Sequence, residues 1–162
     1  MTLDKINCNI LNVLQKNSRT TLTKLAKEIG LSVDSTKKRL TKLMAGELFY
    51  SSIQMRPRHF GYETVVDIKI KLYNYEQKEY ELMIDWLTKN PFVVELISLS
   101  GEWDLTIVLI AKDALDLGVK TDQIRNKFGN IISQWSQSIT TKVYKFEEYD
   151  MNKLILENKQ NE

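Results

Sequence analysis

Thiol and imidazole chemistry is nearly absent from this chain, which has one cysteine, Cys8, and one histidine, His59. A single cysteine closes no internal disulfide, and a single histidine cannot supply half of an ordinary zinc site. Cys8 stands between polar neighbours and reads as a bystander, and His59, beside Phe60, reads as a surface residue. The sequence therefore points away from an enzyme, and no catalytic residue, metal or cofactor is expected. The residues with a usable pattern are cationic. Residues 1–58 hold 11 Lys/Arg against 4 Asp/Glu, whereas residues 59–162 hold 12 against 17, an asymmetry hidden by the overall net charge of +2. A basic segment of this kind suits a polyanion, although a solvated face would share its composition.

The pattern inside the basic segment decides between them. If residues step about 100° around a helix from Val33, then Val33, Thr36, Leu40, Leu43 and Met44 share one side. Ser35, Lys38 and Lys42 gather opposite, with Asp34, Thr41 and Arg39 at the margins. One face packs and the other is basic and rich in donors. Ser32 is placed to cap this helix, which runs to about Ala45 and ends at Gly46, where left-handed geometry costs little. Two shorter helices precede it. Ile6, Ile10, Val13 and Leu14 form a stripe over 4–16, and Leu22, Leu25, Ala26 and Ile29 form another that begins at a hydroxyl cap and stops at Gly30. Three short helices with a tight glycine turn make a helix-turn-helix, whose last helix enters the DNA major groove. The DNA-contacting set is Ser32, Asp34, Ser35, Lys37, Lys38, Arg39 and Lys42.

Residues 47–56 are rich in strand formers and read as an extended segment or small wing, and Arg56-Pro57-Arg58-His59-Phe60-Gly61 reads as a linker. Beyond it the period changes. Val66, Ile68, Ile70 and Leu72 alternate with Asp67, Lys69 and Lys71, as in a half-buried strand. A helix over 76–89 carries Tyr80, Met83 and Leu87, with Leu82 and Trp86 beside them. Strands at Val93 to Leu99 and Leu105 to Ala111 flank the turn at Gly101-Glu102, and the second is apolar enough to be central. Asp113 caps a helix with Leu117, Thr121, Ile124 and Phe128 on its stripe, and Ile131 to Phe146 holds the last strand. The order βαββαβ is ferredoxin-like, an α+β fold. The expected domains are 1–56 for DNA binding, 57–62 as linker, 63–146 for dimerisation and sensing, and 147–162 as a polar tail, with a short helix near Leu154 to Leu156 that frays into disorder. Both helices of such a unit cover one face of the sheet. A second copy is the expected cover for the other, which would also pair two recognition helices with two half-sites.

These residues resemble the Lrp/AsnC, or feast/famine, family of transcriptional regulators. The resemblance rests on Leu3-Asp4-x-Ile6-x-x-x-Ile10-Leu11-x-x-Leu14-Gln15-x-Asn17-x-Arg19 and Leu25-Ala26-Lys27-Glu28-Ile29-Gly30-Leu31-Ser32. It continues through Lys38-Arg39-Leu40-x-x-Leu43-x-x-Gly46, Pro57-Arg58-His59-Phe60-Gly61 and Gly101-Glu102-Trp103-Asp104. It implies a homodimer, often built into tetramers or octamers, and an amino acid or related metabolite bound near the Gly-x-aromatic-Asp turn. The implied effector residues are Gly101, Trp103 and Asp104, with Ser138 and Thr140 as the hydroxyl groups that follow Gly129 once a short insertion is allowed. Asn7 stands where the family carries Asp, and reads as a surface detail.

Two other classes compete with an effector-gated regulator. An architectural protein would oligomerise on double-stranded DNA with no effector. A haem-pathway decarboxylase on the same architecture would need cationic and imidazole groups converging in the C-terminal unit, which offers only His59 at its edge and one arginine, Arg125. No stretch approaches the 18 apolar residues of a membrane span, and the residues after Met1 do not read as a secretory leader. The expected location is the cytoplasm, on the nucleoid, with no membrane partner.

Overall fold

The computed structural model describes residues 3–157. They divide into two units, one formed by the residues up to Gln54 together with those from Tyr144 onward, the other by Met55–Val143.

In the first unit, α1 (Lys5–Lys16), α2 (Leu22–Ile29) and α3 (Val33–Ala45) each begin at a short polar side chain that takes an otherwise unbonded amide. Asp4 accepts from Asn7 N at 2.8 Å, Thr21 from Lys24 N at 3.3 Å and Ser32 from Ser35 N at 3.2 Å. Gly30, at φ 72°, supplies the left-handed turn between α2 and α3. Cys8, Ile10, Leu11, Leu25 and Leu43 form the small core. The lone thiol is thus fully buried core material rather than a residue left among polar neighbours.

Three features of α3 depart from the helical-wheel expectation. Val33 and Met44 share the apolar side but lie in the first and last turns, beyond the contact with the other helices, and stay 43% and 51% exposed. Gly46 ends the helix at φ −86°, and the left-handed residue is Glu47, at φ 53°. Arg39 is not free at the margin. Its guanidinium donates to Asp4 Oδ2 at 2.6 Å and to Asn7 Oδ1 at 3.0 Å, tying α3 to the start of α1. Asn7 is therefore a buried acceptor, not a surface detail.

Residues 47–56 form no strand and so no wing. Strand-forming residues without a partner strand leave their backbone groups unpaired, so propensity alone does not make a ladder. Pro57–Phe60 is a single 3₁₀ turn closed by Gly61 at φ 92°.

In the second unit, β1 (Thr64–Leu72), α4 (Gln77–Lys89), β2 (Val93–Ser98), β3 (Leu105–Ala111), α5 (Ala114–Phe128) and β4 (Ile132–Ile139) build an antiparallel sheet in the order β2-β3-β1-β4. The last strand ends at Ile139, seven residues short of the expected Phe146. Val66, Ile68, Ile70, Leu105, Ile107 and Leu109 are fully buried with Met83 and Leu87 of α4 and Ile124 of α5. Leu82 points away from this core and is exposed. The opposite side of β1 carries Asp67 and Lys69, both exposed, with Lys71 half-buried, so that face is mixed in character rather than apolar.

Lys120 is 5% exposed on α5. It ion-pairs with Asp116 one turn earlier and lies over the Phe92 ring, 3.9 Å from its centroid. The Lys112 backbone N–H and, after it, the Lys120 ammonium hold the Asp116 carboxyl below its usual range.

The segment from Tyr144 onward is not a free polar tail. It turns at Glu147, φ 42°, and enters a helical turn that is of π type over Lys153–Glu157. Met151 and Ile155 pack against the core of the three helices. The fraying expected beyond this turn lies outside the described residues.

The Asp4 cap yields a pH-dependent test. The Asn7 backbone N–H, and beyond it Arg39, lower the Asp4 pKa below its ordinary value. Its stabilisation is therefore complete above about pH 4 and is lost as pH falls through the lower folded value. Asp4→Ala should destabilise the three-helix unit by roughly 1 kcal/mol at pH 7, and this difference should shrink in acid. Urea melts of both proteins at pH 7 and pH 3 check it, and an equal gap at both pH values would contradict it.

Candidate nucleic-acid interface and effector turn

The helix-turn-helix leaves one side of α3 open. Ser32, Asp34, Ser35, Lys37, Lys38 and Lys42 are all exposed, whereas Thr36 and Leu43 are buried on the inward side. The three lysines make no ion pair with any described residue. Their ammonium groups thus stand on one exposed helix without an intramolecular counter-charge, an arrangement suited to phosphates. The two serines differ in what they have left to offer. Ser32 caps the helix and donates its proton to Ser35 Oγ at 2.9 Å. Ser35 accepts that bond, which leaves its own hydroxyl proton for an outside acceptor. Asp34 sits in the first turn, where a carboxylate favours the helix dipole. Arg39 Nη1 donates to both Asp4 and Asn7, which draws this member of the expected DNA-contacting set toward the start of α1.

The expected effector residues do not converge within one chain. Gly101, at φ 135°, shapes the turn between β2 and β3, with Leu99 N bonded to Asp104 O at 2.8 Å. Asp104 is anchored to the end of β1. Its N–H donates to Ile70 O at 3.1 Å, its Oδ2 accepts from Leu72 N at 2.7 Å, and Lys71 Nζ lies 3.9 Å from the same oxygen. Trp103 beside it is half-buried. Ser138 and Thr140 lie at the other end of β1. Ser138 pairs with Asp67, and Thr140 donates from N to Val65 O at 2.8 Å and from Oγ1 to Asp67 Oδ2 at 2.5 Å. Ile70 and Val65 are five residue steps apart along the strand, roughly 16 Å, so the turn and the hydroxyl pair cannot hold one small molecule in a single chain.

Trp135 is half-buried against the core, with the Arg125 guanidinium 4.7 Å from its ring centroid. His59 is exposed in the 3₁₀ turn. Among the described residues no group of His, Cys, Asp and Glu could hold a metal ion, and no helix is long and apolar enough to cross a membrane. An open groove of about 490 Å³ runs between α4 and edge strand β2, lined by Tyr80, Ile84, Thr88, Val94 and Glu95 among others. Periodicity gives no sign of it, because it arises from how the consecutive elements α4 and β2 diverge in space rather than from the pattern within either.

The model of the AsnC-type helix-turn-helix domain matches residues 3–44. The transcriptional regulator LrpA of Pyrococcus abyssi is 35% identical over 129 residues, which cover 79% of this chain and 85% of that protein. The regulator Ptr1 of Methanocaldococcus jannaschii is 28% identical over 119 residues, 72% of this chain and 77% of its own length. Among solved structures, the transcriptional regulator NMB0573 of Neisseria meningitidis in complex with L-Met matches with a TM-score of 0.85 at 22% identity, over 94% of this chain and 99% of that one. The regulator Rv3291c of M. tuberculosis complexed with L-methionine matches with a TM-score of 0.76 at 19% identity, over 91% and 98%. An identity of 35% over most of both chains, a helix-turn-helix at the matched residues and a βαββαβ unit behind it make this chain a member of the Lrp/AsnC family of helix-turn-helix transcriptional regulators.

Proposed function

We propose that this regulator reads DNA through the exposed face of α3 as a two-fold dimer, and that an amino acid or related small metabolite acting at the Gly101–Asp104 turn gates it. The observation that carries the DNA contact is the set of three exposed lysines on α3 without intramolecular anions, beside a serine with a proton to donate. In this reading Lys37, Lys38 and Lys42 neutralise phosphates and Ser35 meets base edges, with Ser32 and Asp34 fixing the helix start. Arg39 serves the fold instead. The gating rests on the turn's charges. Asp104 keeps Oδ1 for an ammonium group, and Lys71 beside it suits a carboxylate, the two ends of an amino acid. Two of the similar regulators were solved as complexes with methionine, which makes L-methionine the first ligand to try. Ser138 and Thr140 would join such a site only across two copies. The dimer is supported by the uncovered face of the sheet, whose mixed polar and apolar character fits a partly wet interface. Its place of action in this reading is the cytoplasm, on the nucleoid.

Removing one cation that faces a phosphate should weaken binding to all sequences alike. Lys38→Ala or Lys42→Ala is expected to make the slope of log K against log salt shallower by about 0.9 for each phosphate left without its lysine, with stability nearly unchanged. Ser35→Ala should instead alter sequence preference, by about 1 to 3 kcal/mol at the contacted pair. Titrations of target and scrambled duplexes at several salt concentrations separate the two effects, and unchanged binding in all three variants would remove α3 from the interface.

For the effector, L-methionine at about 100 times its Kd should add about 2.7 kcal/mol of stability to the parent chain. Asp104→Asn, which keeps the shape of the turn but not its charge, should abolish that shift while sparing basal DNA binding. A full thermal shift in the variant would displace the site from this turn.

Sedimentation of residues 55–143 at micromolar concentration should show a dimer. A stable monomer would place the two-fold contact elsewhere or remove it.

A further inference from the structure

The chain passes between its two units twice, after Gln54 and again after Val143, because the segment from Tyr144 onward belongs with the three helices. Both passages are fastened together on the sensor side. The Arg58 guanidinium donates to the carbonyl oxygens of Glu63 at 3.2 Å, of Thr141 at 3.3 Å and of Thr140, joining the linker to the chain that leaves β4. Thr140 is itself bonded to β1 through Val65 and Asp67. Arg58 has no carboxylate partner among the described residues, so its charge serves main-chain oxygens alone.

On the other side, α1 offers one amide side chain per turn to the returning segment. Gln15 brackets Tyr149, with Nε2 donating to its carbonyl at 3.0 Å and Oε1 accepting from its N–H at 2.9 Å. Asn12 accepts from Met151 N at 2.9 Å and donates to Asp150 Oδ1 at 3.4 Å. Asn9 accepts from Asn152 Nδ2 at 2.9 Å. Polar side chains that read main-chain groups in register hold a segment in one alignment, which a purely apolar contact would not do. Met151 and Ile155 then add apolar burial. Among the described residues Asn152 Oδ1 is buried without a hydrogen-bond partner, which weighs against the seat.

We propose that residues 144–157 form a strap whose seating on α1 supplies a second tether for the DNA-reading unit and thereby favours binding to duplexes with two half-sites at one spacing. The two-half-site part rests on the dimeric DNA reading proposed above. With one linker the reader swings freely, and fixing it on DNA costs that freedom at the moment of binding. A second tether removes part of it beforehand, which raises the effective concentration of the second reader at its half-site.

The test uses the full chain, the Asn12→Ala/Gln15→Ala double variant and, to leave α1 intact, Tyr149→Pro, which deletes the N–H that Gln15 accepts. Amide exchange is read first. In the parent chain the Tyr149 and Met151 amides should exchange at least about 10-fold more slowly than in an unfolded chain; the double variant should lose that protection at both positions and Tyr149→Pro, which has no amide at 149, at Met151, while the α2 and α3 amides keep theirs. DNA binding is read next, on a duplex that the parent chain selects from a random library. Both variants should bind it about 10-fold more weakly and tolerate changes in half-site spacing that the parent rejects. Free exchange of the two amides in the parent would overturn the proposal. So would release of the strap in both variants with affinity and spacing preference unchanged. A parent chain that selects no duplex while both amides stay protected would overturn the DNA reading itself, and the proposal with it, a failure told apart by the intact protection.

Discussion

Strand β1 is hydrogen-bonded along both edges, to β3 through Thr64–Ile70 and to β4 through Val66–Leu72. A strand so placed has no freedom of register, because a slip by one residue would turn Val66, Ile68 and Ile70 out of the core and bring Asp67 and Lys69 in. The unit of Met55–Val143 takes its geometry from that constraint. One end of β1 fixes the Asp104 turn and the other fixes Thr140, whose carbonyl accepts from Arg58 of the linker. The distance between the two candidate effector regions is thus set by the strand's length, and an adjustment at one end reaches the other only through a strand that cannot slide.

The reading unit follows a different economy. Its core is small, and much of its definition comes from caps and from one guanidinium shared by Asp4 and Asn7. This has a chemical consequence for recognition. With Arg39 drawn inward, the outward cations of α3 are lysines, which act as point charges on phosphates and lack the planar fork that reads guanine bidentately. In the DNA reading proposed above, discrimination between sequences then rests on the Ser35 hydroxyl and on the shape and deformability of the duplex.

The parts of this architecture that were legible in the sequence are those whose causes are local. Alternation in Val66 to Leu72 gave the strand and its faces, three-and-four spacing gave the helices, and Ser32, Gly30 and Asp113 marked helix ends because capping and left-handed turns act within three residues. What escaped depends on residues far apart in the chain. Arg39 reaches Asp4 across 35 positions, Gln15 reaches Tyr149 across 134, and Lys120 finds Phe92 from another element. A charged side chain on a helical wheel looks solvated until its partner is placed. The absent wing is the converse case, strand-forming residues that meet no strand. The Gly101–Asp104 turn was recognisable by its resemblance to the family, but its separation from Ser138 and Thr140 becomes visible only once the register of β1 against β4 is known.

The return of the chain to α1 makes the reader a discontinuous domain, with the whole of Met55–Val143 inserted between its three helices and the segment that completes its surface. Synthesis on the ribosome therefore delivers the parts out of order. The helices emerge first, the four-stranded sheet next, and the seat of Met151 and Ile155 is filled last, after a delay on the order of ten seconds at ordinary elongation rates. During that interval the apolar surface of α1 that Met151 and Ile155 will cover is open to water and to other chains. A reader finished only after the inserted unit has been made gives the newly synthesised regulator an order of maturation, in which its four-stranded sheet is available before its helix-turn-helix unit is complete.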